Sequence, residues 1–243
     1  MSAKLRSIGG ALLMLVIIPI VAGLLACMPV PIGNPERSRI DSDLSGIWIV
    51  ESEGDAGSLY LFQPWDKRTW LVVGARLEEA RGYDGEELDP ETAEDAADVL
   101  RETRVGAGGV TSPNTVLYKA WLTKLGGVQF MTWEPMGGLN EDGSHQPEYW
   151  FVWRVDKVDG DRFTLRMVSS EHEIFDDIVK PKENEGEDYV RATRRKWERA
   201  LAKVARDVDD EDLYSEAADF VRLPQDVLEE ASELFREVIA FDE

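Results

Sequence analysis

"TVLYKAWLTKLGGVQFMTWEP", Thr115 to Pro135, consists of two apolar-aromatic runs joined by Gly126-Gly127. Aromatic and β-branched residues suit a pleated, half-buried surface, and paired glycines accept the left-handed dihedrals of a tight hairpin turn. The stretch therefore predicts an antiparallel hairpin. Its neighbours repeat the pattern. "EYWFVWRV" (Glu148 to Val155) and "RFTLRMVS" (Arg162 to Ser169) flank "DKVDGD", with Asp-Gly at the turn. Phe163, Leu165 and Met167 alternate with Thr164 and Arg166, which predicts one buried face.

Upstream, "LSGIWIVE" (Leu44 to Glu51) opens the folded region. "SLYLFQPWDKRTWLVVGARLE" (Ser58 to Glu78) reads as strand, turn and strand around Pro64 and Asp66-Lys67-Arg68. "LDPETAEDAADVLRETR" (Leu88 to Arg104) predicts a helix, with Asp89 as cap, Pro90 in the first turn and acids at the positive end. From Glu185 the period changes. "EGEDYVRATRRKWERALAKVARD" sets Val190, Trp197, Leu201 and Val204 at helical spacing, and "PQDVLEEASELFREVIA" (Pro224 to Ala240) places a second apolar stripe. The expected fold class is α+β: a mainly antiparallel sheet or barrel with an inserted helix and C-terminal helices. The expected segments are 1–26, 27–43, 44–180 (β-rich) and 181–243 (helical).

Gly46-Ile47-Trp48, at the start of the first strand, resembles the Gly-x-Trp of lipocalins, in which the tryptophan plugs one end of a β-barrel. The resemblance implies a lipocalin-like barrel with an apolar cavity, and no particular ligand.

The N-terminus carries an address. Lys4 and Arg6 precede an uncharged run from Ile8 to Ala26, the parts of a bacterial export signal. A run of about 20 residues also has bilayer-spanning length. Leu24-Leu25-Ala26-Cys27 resembles the lipobox of bacterial lipoproteins, although Leu25 is bulkier than usual there. The resemblance implies cleavage between Ala26 and Cys27 and a diacylglyceryl thioether on the Cys27 sulfur. Met28, rather than an Asp, follows the cysteine, which in the enteric sorting rule implies the periplasmic face of the outer membrane. Each buried methylene contributes about 0.8 kcal/mol, so two or three acyl chains hold durably. Residues 28–43, with Pro29, Pro31 and Pro35, read as an extended tether.

Charge narrows the partners. The chain has 27 basic and 48 acidic residues, net −21. Removing Lys4 and Arg6 leaves 25 against 48, net −23. This argues against nucleic acid and against broad adhesion to anionic lipid. Cys27 is the only cysteine, so once it is lipidated neither a disulfide nor a thiol nucleophile is available.

No catalytic set is legible. His145 and His172 are the only histidines, read as exposed and outside any nucleophile elbow. "DVDDEDLYSE" (Asp207 to Glu216) departs from a calcium loop, with Asp212 where Gly is needed and Ala218 where a bidentate acid is needed. "VGAGGVTS" lacks the third glycine of a dinucleotide loop. No metal and no cofactor is expected. With 48 acids, Glu134 beside Trp133 does not establish a glycosidase. A hydrolase of envelope components using Glu134 or Glu171 stands as an alternative function.

The favoured expectation is a lipid-anchored envelope protein whose soluble domain binds a protein partner or an apolar ligand. Tryptophans favour the core, with Trp48 and Trp133 the candidates for ligand contact; Trp65, Trp70 and Trp150 could also stack on a ligand. Trp150 and Trp153 should point to opposite faces of one strand. A third expectation is docking through a basic helix. Arg191, Arg194, Arg195, Lys196, Arg199, Lys203 and Arg206 fall largely on one side. Arg194, Arg195 and Arg199 are the candidates there for an anionic partner, against internal pairing with neighbouring carboxylates.

Overall fold

The hairpin at Thr115 to Pro135 is one quarter of a closed barrel. In the computed structural model, which describes residues 27–50, 58–76, 105–106, 109–110, 115–136, 147, 149–182 and 186–223, the strands are β1 (Gly46–Val50), β2 (Ser58–Pro64), β3 (Trp70–Arg76), β4 (Val105–Gly106), β5 (Gly109–Val110), β6 (Thr115–Leu125), β7 (Val128–Pro135), β8 (Phe151–Asp159), β9 (Arg162–Met167) and β10 (Ala218–Arg222). An 18-residue helix, α1 (Glu187–Val204), lies between β9 and β10. Eight strands form the barrel, in the order β1-β2-β3-β6-β7-β8-β9-β10, every pair antiparallel. β10 returns to β1 through Trp48↔Arg222, Ile49↔Val221 and Val50↔Phe220, so no barrel edge is left unpaired. This is the α+β, lipocalin-like barrel expected from the sequence.

Local chemistry fixes the turns. Gly126 and Gly127 have φ of +57° and +91°, the left-handed pair a two-residue hairpin needs. Gly126 also lets α1 approach, because a Cβ there would sit 2.4 Å from the Ala202 carbonyl oxygen. Between β2 and β3, Asp66 Oδ1 accepts from the backbone N–H groups of Arg68 (2.7 Å) and Thr69 (2.8 Å), an Asx turn.

Strand alternation then sorts side chains into two cores. Trp48, Phe62, Trp70, Val72, Ala120, Met131, Trp133, Val155, Phe163, Leu165 and Phe220 point inward and form the lumen core, which Leu44 joins from below. A second core lies outside the barrel, where Phe130, Val152 and Val168 meet Phe175, Leu213 and the α1 residues Trp197, Ala200 and Leu201. Val190 and Val204 complete the expected helix stripe at half-burial. Phe175 stacks on Trp197 at 4.4 Å. Arg154, buried on the outer face of β8, donates to the Ala205 carbonyl at the helix C-terminus (2.6 Å), where a cation opposes the negative end of the dipole.

Three expectations are corrected. Residues 28–43 are not a free tether. Met28, Val30 and Ile32 are each 0% exposed in the outer core. Met28 and Trp150 exchange backbone hydrogen bonds of 2.8 and 3.0 Å. The Ile32 carbonyl accepts from Trp121 Nε1 (2.9 Å) and Thr132 Oγ1 (2.8 Å). The prolines keep this segment extended, and its alternate apolar residues dock it. The segment 181–243, expected to be helical and packed on the β domain, also supplies β10, which closes the barrel. His172 is not exposed: its side chain is only 10% accessible, Nδ1 accepting from the Ile174 N–H (3.2 Å) and Nε2 lying 3.2 Å from Asp210 Oδ2. The leader 1–26, the helix at 88–104, His145 and the helix from Pro224 lie outside the described residues. Part of the glycine-rich "VGAGGVTS" stretch forms the short β4–β5 ladder.

Candidate functional site

The lumen has two unlike ends. At one, a single 3-10 turn (Ser42–Leu44) inserts Leu44 beneath the first strand. Trp48 is 1% exposed there and donates from Nε1 to the Leu44 carbonyl (3.0 Å). Its ring meets Phe163 edge-on at 4.5 Å. Arg222, last residue of the last barrel strand, stacks over the other side of that ring with its guanidinium carbon 4.2 Å from the centroid. The same guanidinium donates to the carbonyls of Ser45 (2.8 Å) and Asp43 (2.6 Å). Trp70 Nε1 donates to Ser45 Oγ (3.1 Å). This end is sealed by groups whose bonds are already made.

The opposite end, the mouth, where β1, β3, β7 and β9 finish, is ringed by aromatic side chains among the described residues. Val116 (47% exposed) and Tyr149 (40%) stand at its rim. Below them Tyr60, Tyr118, Phe151 and Trp153 are half-buried around the buried Trp133. Trp133 lies 5.1 Å from Trp153, 5.2 Å from Tyr118 and 5.6 Å from Tyr60, ring centre to ring centre. The indole N–H groups of Trp133 and Trp153 are both shut away from solvent and have no hydrogen-bond partner. A buried donor left unpaired costs about 1–3 kcal/mol. Burial, with Tyr60, Tyr149 and Cys27 nearby, pushes the Tyr118 phenol up to about 12. Burial likewise raises the Cys27 thiol. Among the described residues this end is thus largely apolar, holds two buried indole donors without a partner, and disfavours ionisation of Tyr118.

The structure separates the residues singled out from the sequence. Trp133 lines the mouth. Trp48 belongs to the other end, buried, its N–H donated to the Leu44 carbonyl and its ring packed against Phe163 and Arg222. Trp70 is buried beside it, and Trp65 is 50% exposed in the turn below. Trp150 and Trp153 do point oppositely, Trp153 into the lumen and Trp150 outward, where its Nε1 donates to Glu134 Oε2 (3.1 Å). Glu134 is thereby tied to the outer wall, and Glu171 is exposed elsewhere. Cys27 is half-buried beside the mouth, one residue before the Met28–Trp150 bridge, while Ala26 lies outside the described residues. Arg194 and Arg195 line a surface groove beside α1, which Arg199 does not. Among the described residues no three or more His, Cys, Asp or Glu side chains come together as metal ligands, and no helix is long and apolar enough to cross a membrane.

Two features escaped the sequence reading. Arg222 sits in a strand too short and too charged to show a period. Tyr60 and Tyr118 lie 58 positions apart in sequence, and only the pairing of β3 with both β2 and β6 brings them together. Compared with family models, with curated proteins and with solved structures, the chain matches none.

Proposed function

We propose that this chain is a lipid-anchored protein of the bacterial envelope whose barrel mouth binds an apolar ligand carrying an oxygen acceptor. The observation that carries the ligand is the pair of unpaired indole donors, Trp133 and Trp153, buried among aromatic rings at the mouth end. An apolar body would cover Val116, Tyr149 and Phe151, and a carbonyl, hydroxyl or carboxylate oxygen would satisfy the indoles. An eight-stranded barrel is wide enough for side chains or for one small ligand. The lower lumen is filled with aromatics, so the ligand sits high and shallow. The "LLAC" stretch and its charged, apolar leader support the anchor, and the half-buried Cys27 leaves a sulfur at the rim.

Titration of the purified chain with a fluorescent fatty acid, against the same fluorophore on a plain hydrocarbon, tests the ligand. Saturable binding of the acid, at least tenfold tighter than the hydrocarbon and weakened by Trp133→Phe with Trp153→Phe, is expected. No saturable binding of either probe refutes the reading. For the anchor, Cys27→Ser should move the protein from the membrane to the soluble fraction and abolish palmitate incorporation. A variant that sediments with membranes as fully as its parent refutes that half.

A further inference from the structure

Opposite the lumen, the docked N-terminal segment and α1 form the two walls of an open groove of about 1780 Å³. We infer that this groove binds the phosphate-bearing head group of an anionic lipid. One wall supplies Arg37 and Arg39, the other Arg191, Arg194 and Arg195, and Lys124 stands at the end of β6 between them. With Lys182, seven basic side chains face four acidic ones, Glu36, Asp41, Glu187 and Glu198, in a chain whose overall balance is strongly negative. A local reversal of sign on an acidic body is what an anion would be drawn to.

Among the described residues Arg194 is paired with Glu198, and Arg37, Arg39, Arg191 and Arg195 are exposed. Glu198, the acid best placed to neutralise α1, accepts from the Gly33 backbone N–H at 3.0 Å. Arg194 Nε, closed off from water, lies 3.7 Å from the same carboxylate oxygen and has no hydrogen-bond partner. Gly33 fixes this arrangement. Its φ is +81°, and a Cβ there would collide with the Thr123 side chain, so the segment presses closely on β6 at this point, beside the cleft. Arg191, Arg194 and Arg195 share a helix face at i, i+3 and i+4. Planar guanidinium groups on two walls suit the oxygens of a phosphate.

Lipid is chosen as the source because the groove begins at Pro29 and Trp150, beside Cys27. That choice rests on the anchor reading; the phosphate chemistry does not. The test uses the full chain carrying Cys27→Ser in non-ionic detergent, titrated calorimetrically with monomeric dihexanoyl-phosphatidylglycerol, its phosphatidylcholine counterpart and inorganic phosphate. Phosphatidylglycerol should bind at least tenfold tighter than either of the others and weaken as salt rises. Arg37→Gln with Arg195→Gln, both exposed positions, should weaken it at least tenfold with an unchanged circular dichroism spectrum. Arg199→Gln, outside the groove, should leave it unaltered, and Arg37→Lys with Arg195→Lys should restore part of it. Equal binding of the two lipids, or an unaffected Gln double variant, overturns the site. Inorganic phosphate binding as tightly as phosphatidylglycerol overturns the choice of lipid. Since no variant here carries an anchor, these outcomes are independent of the membrane fractionation of Cys27→Ser against its parent.

Discussion

Trp48 and Trp133 are equally buried, at 1% and 2% exposure, yet replacing them by phenylalanine should have opposite consequences beyond the shared loss of ring area. Trp48→Phe removes the N–H that satisfies the buried Leu44 carbonyl at 3.0 Å and leaves that acceptor unpaired, about 1–3 kcal/mol. It also puts a poorer π face under Arg222, worth about 0.5–1 kcal/mol. Trp133→Phe removes a donor that has no partner, so about 1–3 kcal/mol of existing penalty is relieved. The transfer and cavity contributions are similar in both and cancel in the comparison.

The two variants should therefore differ by roughly 3 kcal/mol or more, Trp48→Phe being the less stable. Urea unfolding followed by far-ultraviolet circular dichroism reads this directly. With a slope of about 2–3 kcal/mol per molar, the midpoints should lie at least about 1 M apart with unchanged slopes. If Trp133→Phe falls to the same midpoint as Trp48→Phe, the Trp133 indole is bonded in solution, and its assignment as a waiting donor is wrong.

Gly126→Ala forces a left-handed residue to carry a Cβ 2.4 Å from the Ala202 carbonyl, so it should cost about 2 kcal/mol and lower the Tm by roughly 4–8 °C in a thermal melt; an unchanged Tm would mean that α1 does not press on the hairpin. Arg222→Lys keeps the charge but gives up the stack over Trp48 and the planar fork to Ser45 and Asp43; a loss of about 2 kcal/mol in urea unfolding is expected with fatty-acid affinity unchanged, and a fall in affinity would contradict the separation of the two ends. Tyr118 has its phenol raised in the folded state from 10.0 to about 12, so its stability contribution is whole below pH 10 and fades as pH rises towards 12. Tyrosinate absorbance of the native chain should show late titration, shared with the buried Tyr60 and Tyr214, that Tyr118→Phe reduces, and six tyrosines titrating together near pH 10 would refute it. Spin labels at Tyr149→Cys and Trp65→Cys in the lipidated protein should report bilayer contact at the first and water at the second; the reverse order would show that the N-terminal segment undocks.

The strands legible in the sequence are those whose turns are chemically explicit. Gly126-Gly127 and Asp159-Gly160 mark the hairpins β6–β7 and β8–β9, and Phe163, Leu165 and Met167 alternate because the outer side of β9 carries polar Thr164 and Arg166. β1 to β3 read as continuous apolar runs, since Ile47, Ile49, Leu71 and Val73 are buried on the outer face as well. β10 was not legible: of Ala218 to Arg222 only Phe220 is buried, and its partners lie 57 residues back on β9 and 170 back on β1. The segment after Cys27 did carry a signal, Met28, Val30 and Ile32 at period two, but alternating prolines suggested a solvated spacer. Those prolines occupy the positions not pressed on the barrel, where a missing N–H is harmless. The groove was half legible. Arg194 and Arg195 declare themselves on one helix, but Arg37 and Arg39 join them only through the fold of a segment some 150 residues upstream.

That docked segment links the proposed ligand, lipid and anchor sites. Seven-residue strands rise about 3.3 Å per residue, and a tilt near 40° leaves the two barrel ends roughly 15–20 Å apart. Met28 is hydrogen-bonded in both directions to Trp150 and fully buried, so an acyl chain on Cys27 has one residue of slack. The attachment point cannot move from the mouth to the sealed end without breaking those bonds and exposing Met28, Val30 and Ile32. Exposing three such side chains costs about 1.5–3 kcal/mol each. On the proposed anchor, a lipid on that sulfur would hold the mouth, and the end of the groove at Pro29 and Trp150, against the bilayer, with Trp48 and Arg222 facing away from it. An apolar ligand leaving the membrane would then meet Val116 and Tyr149 first, while Arg37 and Lys124 lie farther along the groove, by the end of β6. A long flexible tether would impose no such order; a segment pinned at Met28 and Gly33 does.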